Sequence, residues 1–289
     1  MSNPRTDPDS EGSLVQPQQR AIENSHLSPQ ISPKSSQQMS PTLATHLRSL
    51  TPARVGLRRT GLSIAINELL DFQLAHARAR DAVHAALQPS TLLTALRDLP
   101  RQSKDPLLLH SAAANRQAYL QRPDLGRKLD ESSRKRLIEY PEPGPYNLSI
   151  VLVDGLSALA VERNATPLLA ELLPNLPEFM QLAPICIVEQ GRVAIGDEIA
   201  HALSASLVIV LIGERPGLSS PDSLGAYITW QPRPGRTDAE RNCISNIRSE
   251  GLRYQQAAAR LLYYIHESHR LQLTGVALKE ADLQLETGQ

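Results

Sequence analysis

The chain has no excess of charge of either sign and few aromatic side chains. Its 30 lysines and arginines balance 30 aspartates and glutamates over 289 residues, and only 3% of the residues are aromatic. A surface that binds nucleic acid usually combines a basic face with aromatic groups that stack on bases. The composition therefore argues against a nucleic-acid partner.

Cysteines and long apolar runs are also scarce. The two cysteines, Cys186 and Cys243, cannot build a disulfide framework or a four-thiolate metal site. No apolar run approaches the ~18 residues that span a bilayer. The first eight residues hold an aspartate and two prolines where a secretory signal would have basic and then apolar residues. We therefore expect a cytoplasmic protein without a membrane span.

Residues 1–42 are dominated by serine, proline and glutamine. Such a segment cannot bury enough apolar area to offset the entropy that ordering the chain would cost. We predict that this segment is a disordered tail, and the sequence assigns it no function.

Residues 43–140 have mostly helical patterns. In residues 63–87, apolar side chains recur at three- and four-residue spacing, which predicts an amphipathic helix with Ser63 as its N-cap. Further helices are predicted over residues 112–120 and 129–137. We therefore treat this part of the chain as a mostly helical region.

For two groups of polar residues, the sequence favours a structural role over metal binding or catalysis. His76 and His84 lie on the first predicted helix, but eight residues separate them, so they stand two turns apart and suit a shared metal ion poorly. Asp238 and Glu240 lie in a stretch dense in charge, which is more typical of an ion-paired surface or a subunit contact than of a catalytic pair. The sequence predicts neither a metal site nor a catalytic residue here.

The pattern changes near residue 146, where short apolar runs begin to alternate with loops and helical stretches. Apolar runs at 148–153, 185–188 and 207–212 each lead into a loop that contains glycine. Helical sequence follows the first run as far as residue 173, and the second run is followed by a helix near 195–203. Three such runs predict a parallel sheet covered by helices on both faces.

Three later segments complete this picture. We predict a strand at 226–230, a long helix over 254–271 and a final apolar segment at 276–278. The fold class is therefore α/β, with a Rossmann-like, largely parallel sheet and flanking helices in residues 141–289.

Loops at the carboxyl ends of the predicted strands are the candidate binding elements. Ligands bind there in open parallel sheets because loops and helix N-termini present free backbone N–H groups. The three loops are residues 154–157, 190–193 and 213–220. In any one of them, however, the glycine could serve only to let the chain turn. Neither a Gly-x-Gly-x-x-Gly after the first strand nor a Walker lysine is present, so an ordinary dinucleotide or nucleoside triphosphate lacks its usual binding elements.

Two side chains in or near these loops have alternative interpretations. Glu214 could accept hydrogen bonds from ligand amides, or it could pair with Arg215 or another arginine. Cys243 could be a nucleophile, but residues 241–248 contain no histidine to activate it. A packing or contact role for Cys243 is therefore favoured.

Six sequence blocks, taken in order, resemble the small subunit of ethanolamine ammonia-lyase from about residue 47 to residue 277. The blocks are residues 51–56, 119–127, 154–157, 191–193, 213–218 and 243–247. This resemblance implies a carbon–nitrogen lyase that uses adenosylcobalamin and a radical mechanism to convert ethanolamine to acetaldehyde and ammonia.

The resemblance also implies which residues contact the cofactor. The family's contacts, a valine after Gly-Arg, the glutamate of Gly-Glu-Arg-Pro-Gly and the cysteine of Cys-Ile-Ser-Asn, correspond to Val193, Glu214 and Cys243. A corrin ring has a broad apolar edge fringed with amides, which suits a valine contact, a carboxylate acceptor and a polarizable sulfur. The sequence lacks Asp-x-His-x-x-Gly, which fits a base-on cofactor that keeps its own dimethylbenzimidazole on cobalt.

A partner follows from the same resemblance. The substrate pocket and the radical chemistry belong to a larger, barrel-shaped subunit, so we expect this chain to be inactive alone and to form a hetero-oligomer. The helical region over 43–140 and the charged segment around Arg236 are the expected contacts. The complex could lie free in the cytoplasm or within a bacterial microcompartment. The alternatives are an interaction module that has lost cobalamin contact and a stand-alone hydrolase that uses Cys243.

Overall fold

A computed structural model describes residues 41–51, 53–101, 104–142 and 144–279. Of the predicted tail, only residues 41 and 42 are described, and the prediction for residues 1–40 lies outside the described part. No described helix is both long enough and apolar enough to cross a bilayer.

The described residues form eight α-helices and eight strands. The helices are α1 (Pro41–Leu50), α2 (Ile66–His84), α3 (Pro89–Arg97), α4 (Arg116–Gln121), α5 (Glu131–Ile138), α6 (Ala158–Leu172), α7 (Ile195–Ala202) and α8 (Tyr254–Leu271). The strands are β1 (Arg59–Thr60), β2 (Ser63–Ile64), β3 (Leu107–His110), β4 (Tyr146–Val153), β5 (Cys186–Glu189), β6 (Ala205–Gly213), β7 (Leu224–Trp230) and β8 (Arg241–Ile247). The predicted α/β class is confirmed.

Six strands form one mixed sheet in the order β3-β5-β4-β6-β7-β8. The first four are parallel to one another, whereas β7 runs antiparallel to β6, and β8 antiparallel to β7. The sequence correctly predicted β4, β5 and β6 as parallel strands. Strands β1 and β2 form a separate small hairpin.

The central strands of the sheet, β4, β5 and β6, are buried on both faces. Alternate residues of β6 point to opposite sides: Leu207, Ile209 and Leu211 pack with α6 and α8, while Val208 and Val210 pack with α7. We call these two sides the α6/α8 face and the α7 face. Burial on both sides explains why β4 and β6 appear in the sequence as nearly continuous apolar runs.

Several elements differ from their predictions. The prediction of Ser63 as a helix cap is wrong: Ser63 lies in β2, and α2 begins after Ala65, whose side chain makes no capping hydrogen bond. The helix predicted from residue 112 begins at Arg116, because Asn115 accepts the Ala118 N–H and caps it there. Residues 276–278 form turns, and no strand was predicted for β3 or β8. The helix predicted over 254–271 is confirmed as α8.

The strand order reverses direction at β4. The chain passes from β4 to β5 on one side and then to β6 on the other, so the customary ligand crevice would lie between the carboxyl ends of β4 and β6. Here the two ends touch: the Leu156 N–H donates to the Gly213 carbonyl at 2.9 Å. A Cβ on Gly213 would lie 2.0 Å from the Ser157 carbonyl oxygen. Only glycine allows so close an approach of the two backbones.

Asp154, at the end of β4, anchors the loop that follows β5. Its carboxylate accepts the backbone N–H groups of Gln190 (2.9 Å) and Gly191 (3.1 Å). The Arg116 guanidinium lies 3.5 Å from the same carboxylate and donates to the Gly155 carbonyl at 2.8 Å. Burial raises the pKa of Asp154 to about 6, although Arg116 and the backbone donors act in the opposite direction. The loops after β4 and β5 are thus held together by one buried carboxylate.

Replacing Gly213 should be far more damaging than replacing Gly217 in the same loop. In Gly213→Ala the new methyl group meets backbone atoms of Asp154 and Ser157, and we expect a loss of at least ~3 kcal/mol in the free energy of unfolding. In Gly217→Ala it meets chiefly the Ser220 hydroxyl, which can rotate away, so the loss should stay below ~1 kcal/mol. Urea denaturation of the full chain measures both, and equal losses would contradict the proposed backbone contact.

Asp154 should make the stability of the chain depend on pH. Because its pKa is higher in the folded chain (about 6) than in the unfolded chain (~3.9), the folded chain binds more protons between these values, and stability falls as pH rises through them. The advantage of the wild-type chain over Asp154→Asn should therefore shrink by ~2 kcal/mol between about pH 4.5 and about pH 7.5. Urea denaturation of both chains at each pH measures this, and a pH-independent difference would refute it.

Candidate functional site on the α7 face

The structure brings the three predicted cofactor contacts to one face of the sheet. Val193 lies in the loop between β5 and α7 and packs against the hydrophobic cluster of the α7 face, as does Tyr227 of β7. Cys243 of β8 is the cross-strand partner of Tyr227. Glu214 directly follows β6, and its side chain lies where a Cβ on Gly225 would touch it at 3.1 Å. Three separate elements thus contribute to the α7 face near the carboxyl end of β6.

Glu214 joins the end of β6 to β8. Its Oε1 accepts the Ser245 hydroxyl at 2.6 Å, and its Oε2 accepts the Asn246 N–H at 3.2 Å and a short hydrogen bond from the Ser223 hydroxyl. Among the described residues, its hydrogen-bond donors are therefore two hydroxyls and one backbone N–H, and not Arg215. A carboxylate offers about four acceptor positions, so these donors leave it with capacity for one more.

Cys243 keeps a solvent-exposed edge beside Tyr227. Partial burial raises the pKa of its thiol and the Glu214 carboxylate adds to the rise, whereas the hydrogen bond that the Tyr227 hydroxyl donates opposes it. Burial also raises the pKa of Tyr227. Because the thiolate is the nucleophilic form of cysteine, this environment disfavours the hydrolase alternative. It leaves a neutral, polarizable sulfur at the surface.

The loop that carries Val193 is held by contacts that the sequence did not predict. The Arg192 guanidinium lies 4.2 Å from the centre of the Tyr119 ring and donates to the Tyr119 carbonyl at 3.3 Å, while the Arg192 N–H donates to the Gly126 carbonyl at 2.7 Å. Arg116 lies 4.8 Å from the centre of the same ring. Tyr119 is fully buried between the two cations. Two of the six resemblance blocks, residues 119–127 and 191–193, therefore contact each other, and the sequence analysis did not predict this contact.

The charged segment before β8 is an ion-paired surface. The Glu240 carboxylate accepts the Thr237 N–H at 2.7 Å and a short hydrogen bond from Arg236. These two contacts lower the pKa of Glu240 to about 2. The carboxylate and the Thr237 hydroxyl form a capping box for one short helical turn. This arrangement agrees with the structural role favoured by the sequence.

Other candidate groups lie elsewhere. Within the described residues, no three His, Cys, Asp or Glu side chains are grouped so that they could hold a metal ion. Cys186 is fully buried in the core, where burial raises its pKa to about 12. A surface cavity of about 710 Å³ is lined by Tyr146, Asn147 and Ser206, at the amino ends of β4 and β6. This cavity is at the opposite end of the sheet from Glu214, so its size does not make it the binding site.

Comparison with known proteins covers nearly all of the described chain. A family model for "Ethanolamine ammonia-lyase light chain (EutC)" matches residues 42–279. The ethanolamine ammonia-lyase small subunit of Pseudomonas aeruginosa is 56% identical over 247 residues, which is 84% of this chain and 89% of that protein.

Proteins of the same name from two other species are similarly close. The relative from Pseudomonas paraeruginosa is 57% identical over 242 residues, covering 82% of this chain and 88% of that protein. The relative from Pseudomonas syringae pv. tomato is 53% identical over 244 residues, covering 83% and 84%. The chain therefore belongs to the family of ethanolamine ammonia-lyase small subunits, which implies lyase activity together with a large subunit.

Proposed function

We propose that this chain forms one wall of the adenosylcobalamin site of an ethanolamine ammonia-lyase, whose large subunit holds ethanolamine and releases acetaldehyde and ammonia. The observation that carries the proposal is that Val193, Glu214 and Cys243 lie on the same side of the sheet, the α7 face. We also propose that the sheet is Rossmann-like, since the strand order reverses at β4 as it does in doubly wound folds.

The side chains at this site fit a corrin ring. Glu214 retains acceptor capacity for one amide N–H after its three internal hydrogen bonds. Val193 is half-buried and offers apolar surface, and Cys243 presents a thiol whose raised pKa keeps it neutral. Together these groups match an apolar ring edge fringed with amides, whereas a phosphate would require positive charge.

The proposed role of the chain is to bind and orient the cofactor. When bound, adenosylcobalamin supplies a cobalt–carbon bond that breaks homolytically to start radical chemistry. The residues of this chain hold the corrin periphery and exclude water on that side, so we assign no catalytic residue to it. We propose the base-on mode, because the sequence lacks the Asp-x-His-x-x-Gly that replaces the cofactor's own base.

The proposed site needs a second chain to enclose it. Cys243 and Ser245 are exposed, so the α7 face is an open surface at this point, whereas ligand sites bury most of the ligand surface. We propose that the large subunit covers this surface and that the hetero-oligomer works in the cytoplasm, either free or within a bacterial microcompartment. The family name of the chain as a small subunit supports such a partner.

The mostly helical region over residues 43–140 provides the proposed contact with the large subunit, and residues 141–289 provide the cobalamin contacts. In the first half of α2, Ile66, Leu69, Leu70, Phe72 and Leu74 are all exposed. At 100° per residue they cover more than half of the helix circumference, and a helix that is apolar over so much of its surface is normally enclosed. The ion-paired segment around Arg236 remains a second candidate contact.

The cofactor role is tested by co-expressing the chain with a large subunit and measuring ammonia released from ethanolamine with adenosylcobalamin. We expect activity from the complex and none from the chain alone. In the complex, Glu214→Ala should raise the dissociation constant of adenosylcobalamin about 10- to 100-fold, because a hydrogen bond to a charged group is worth ~1.5–3 kcal/mol.

Ser245→Ala is the matched control for Glu214. It removes an internal partner of the same carboxylate and should change cofactor affinity by less than about threefold. If an assembled, folded complex releases no ammonia, the functional assignment fails. If Glu214→Ala leaves cofactor affinity unchanged in an active complex, Glu214 is not a contact; unchanged affinity in Val193→Asp as well would favour an interaction module that has lost cobalamin contact.

The contact with the large subunit is tested at α2. Leu70→Glu places a charge on a side chain that is 55% exposed and should weaken association at least about tenfold, because burying a leucine is worth ~1.5–3 kcal/mol. Phe179→Glu alters a side chain that is 77% exposed elsewhere and should leave association unchanged. Co-purification with a tagged large subunit measures both, and normal recovery of Leu70→Glu would contradict the assignment of α2.

A further inference from the structure

Asp197 and Arg241 form a completely buried ion pair. Each side chain is 1% exposed, and the guanidinium meets the carboxylate in a two-pronged arrangement, with Nη1–Oδ1 at 2.8 Å and Nη2–Oδ2 at 2.6 Å. Such bidentate pairs fix the relative position of both partners as well as attracting them.

The remaining donors of Arg241 are also satisfied. Its Nη1 donates to the Thr229 hydroxyl at 2.9 Å, its Nη2 to the Arg236 carbonyl at 3.0 Å and its Nε to Asp238 at 3.4 Å. All five N–H groups of the guanidinium therefore have a hydrogen-bond acceptor. A polar network without unmet partners specifies one arrangement of the elements that it joins.

The pair connects two of the three elements that carry the proposed cofactor contacts. Asp197 lies in the first turn of α7, four residues after Val193. Arg241 begins β8, two residues before Cys243, and the cross-strand partners Thr229 and Tyr227 show that Arg241 and Cys243 point to the same face. Moving Asp197 relative to Arg241 would therefore move Val193 relative to Cys243.

Stability alone does not account for this pair. Ile195 and Ile199 already pack α7 against the sheet, and a buried ion pair is often no more stabilising than apolar side chains of similar volume. We propose that Asp197 and Arg241 are positioning residues, which set the spacing of Val193 and Cys243 to match the edge of the corrin. This inference rests on the proposed function, because it presupposes that these two residues contact the cofactor.

The test measures adenosylcobalamin affinity and melting temperature separately, in the complex with the large subunit. Asp197→Asn and Arg241→Lys should each raise the dissociation constant about tenfold or more, because small displacements of a preorganised site are costly. The apolar double variant Asp197→Leu with Arg241→Met should retain the wild-type melting temperature within a few degrees and still show the loss of affinity. That separation distinguishes positioning from a structural role.

Glu198→Gln is the matched control. Glu198 lies next to Asp197 on α7, but its carboxylate pairs with Arg134 of α5 at 2.6 Å, whereas Asp197 pairs with Arg241 of β8. It should leave cofactor affinity unchanged. A second control places Asp197→Asn in a Cys243→Ala background, where the further loss should fall below about threefold, because changes that act through one contact are not additive.

The outcomes separate this inference from the proposed function. If the wild-type complex binds no adenosylcobalamin, the proposed function fails and this inference fails with it. If the wild-type complex binds and the apolar double variant binds equally well, the pair is structural and only this inference fails. If the double variant does not fold, Arg241→Lys becomes the deciding variant. An unchanged dissociation constant in Arg241→Lys overturns the inference. A tenfold rise that is additive with the effect of Cys243→Ala on the dissociation constant also overturns it.

Discussion

Burial of β4, β5 and β6 on both faces of the sheet decides where polar chemistry can lie in this chain. Apolar side chains fill both sides of these strands, so they offer no place for an exposed acid, thiol or amide. Polar groups that meet a ligand must come from strand ends, connecting loops or the antiparallel edge. Glu214 lies at a strand end, Val193 in a loop, and Cys243 on β8, the edge strand. The location of the candidate site is thus a consequence of how the core is built.

The same burial explains which elements could be predicted from the sequence. Continuous apolar runs indicate strands that are covered on both faces, and β4 and β6 are of this kind. Strand β8 was missed because it alternates buried and exposed residues only irregularly around polar Asn242 and Ser245. Strand β3 was missed because its apolar residues are three leucines, which lack the β-branching that favours strands. The loops at the carboxyl ends followed from topology, but the expected cofactor came from family resemblance alone. The Asp197–Arg241 pair joins residues 44 positions apart, and no local pattern reveals such a contact.

Support for the candidate site comes from a buried carboxylate, a partly buried carboxylate and a buried ring. Asp154 holds the loop after β5, Tyr119 lies between Arg116 and Arg192, and Glu214 joins β6 to β8 across β7. None of these groups needs to act as an acid, a base or a nucleophile to make these structural contacts. The raised pKa of Cys243 agrees with that view, because a neutral thiol suits contact and not attack. These features agree with the proposed function, in which this chain positions the cofactor and the large subunit carries the reaction.

The close contact between Gly213 and the loop after β4 has a consequence for assembly. It closes the point at which doubly wound folds usually hold their ligands, so the proposed cofactor would lie across the surface of the α7 face instead. A second protein can bind the exposed side of a ligand that lies on a surface. For a molecule clasped between two chains, thermodynamic linkage requires that loading the cofactor tightens the subunits by the same factor by which the subunits tighten the cofactor. Cofactor supply would then regulate how much of the enzyme stays assembled.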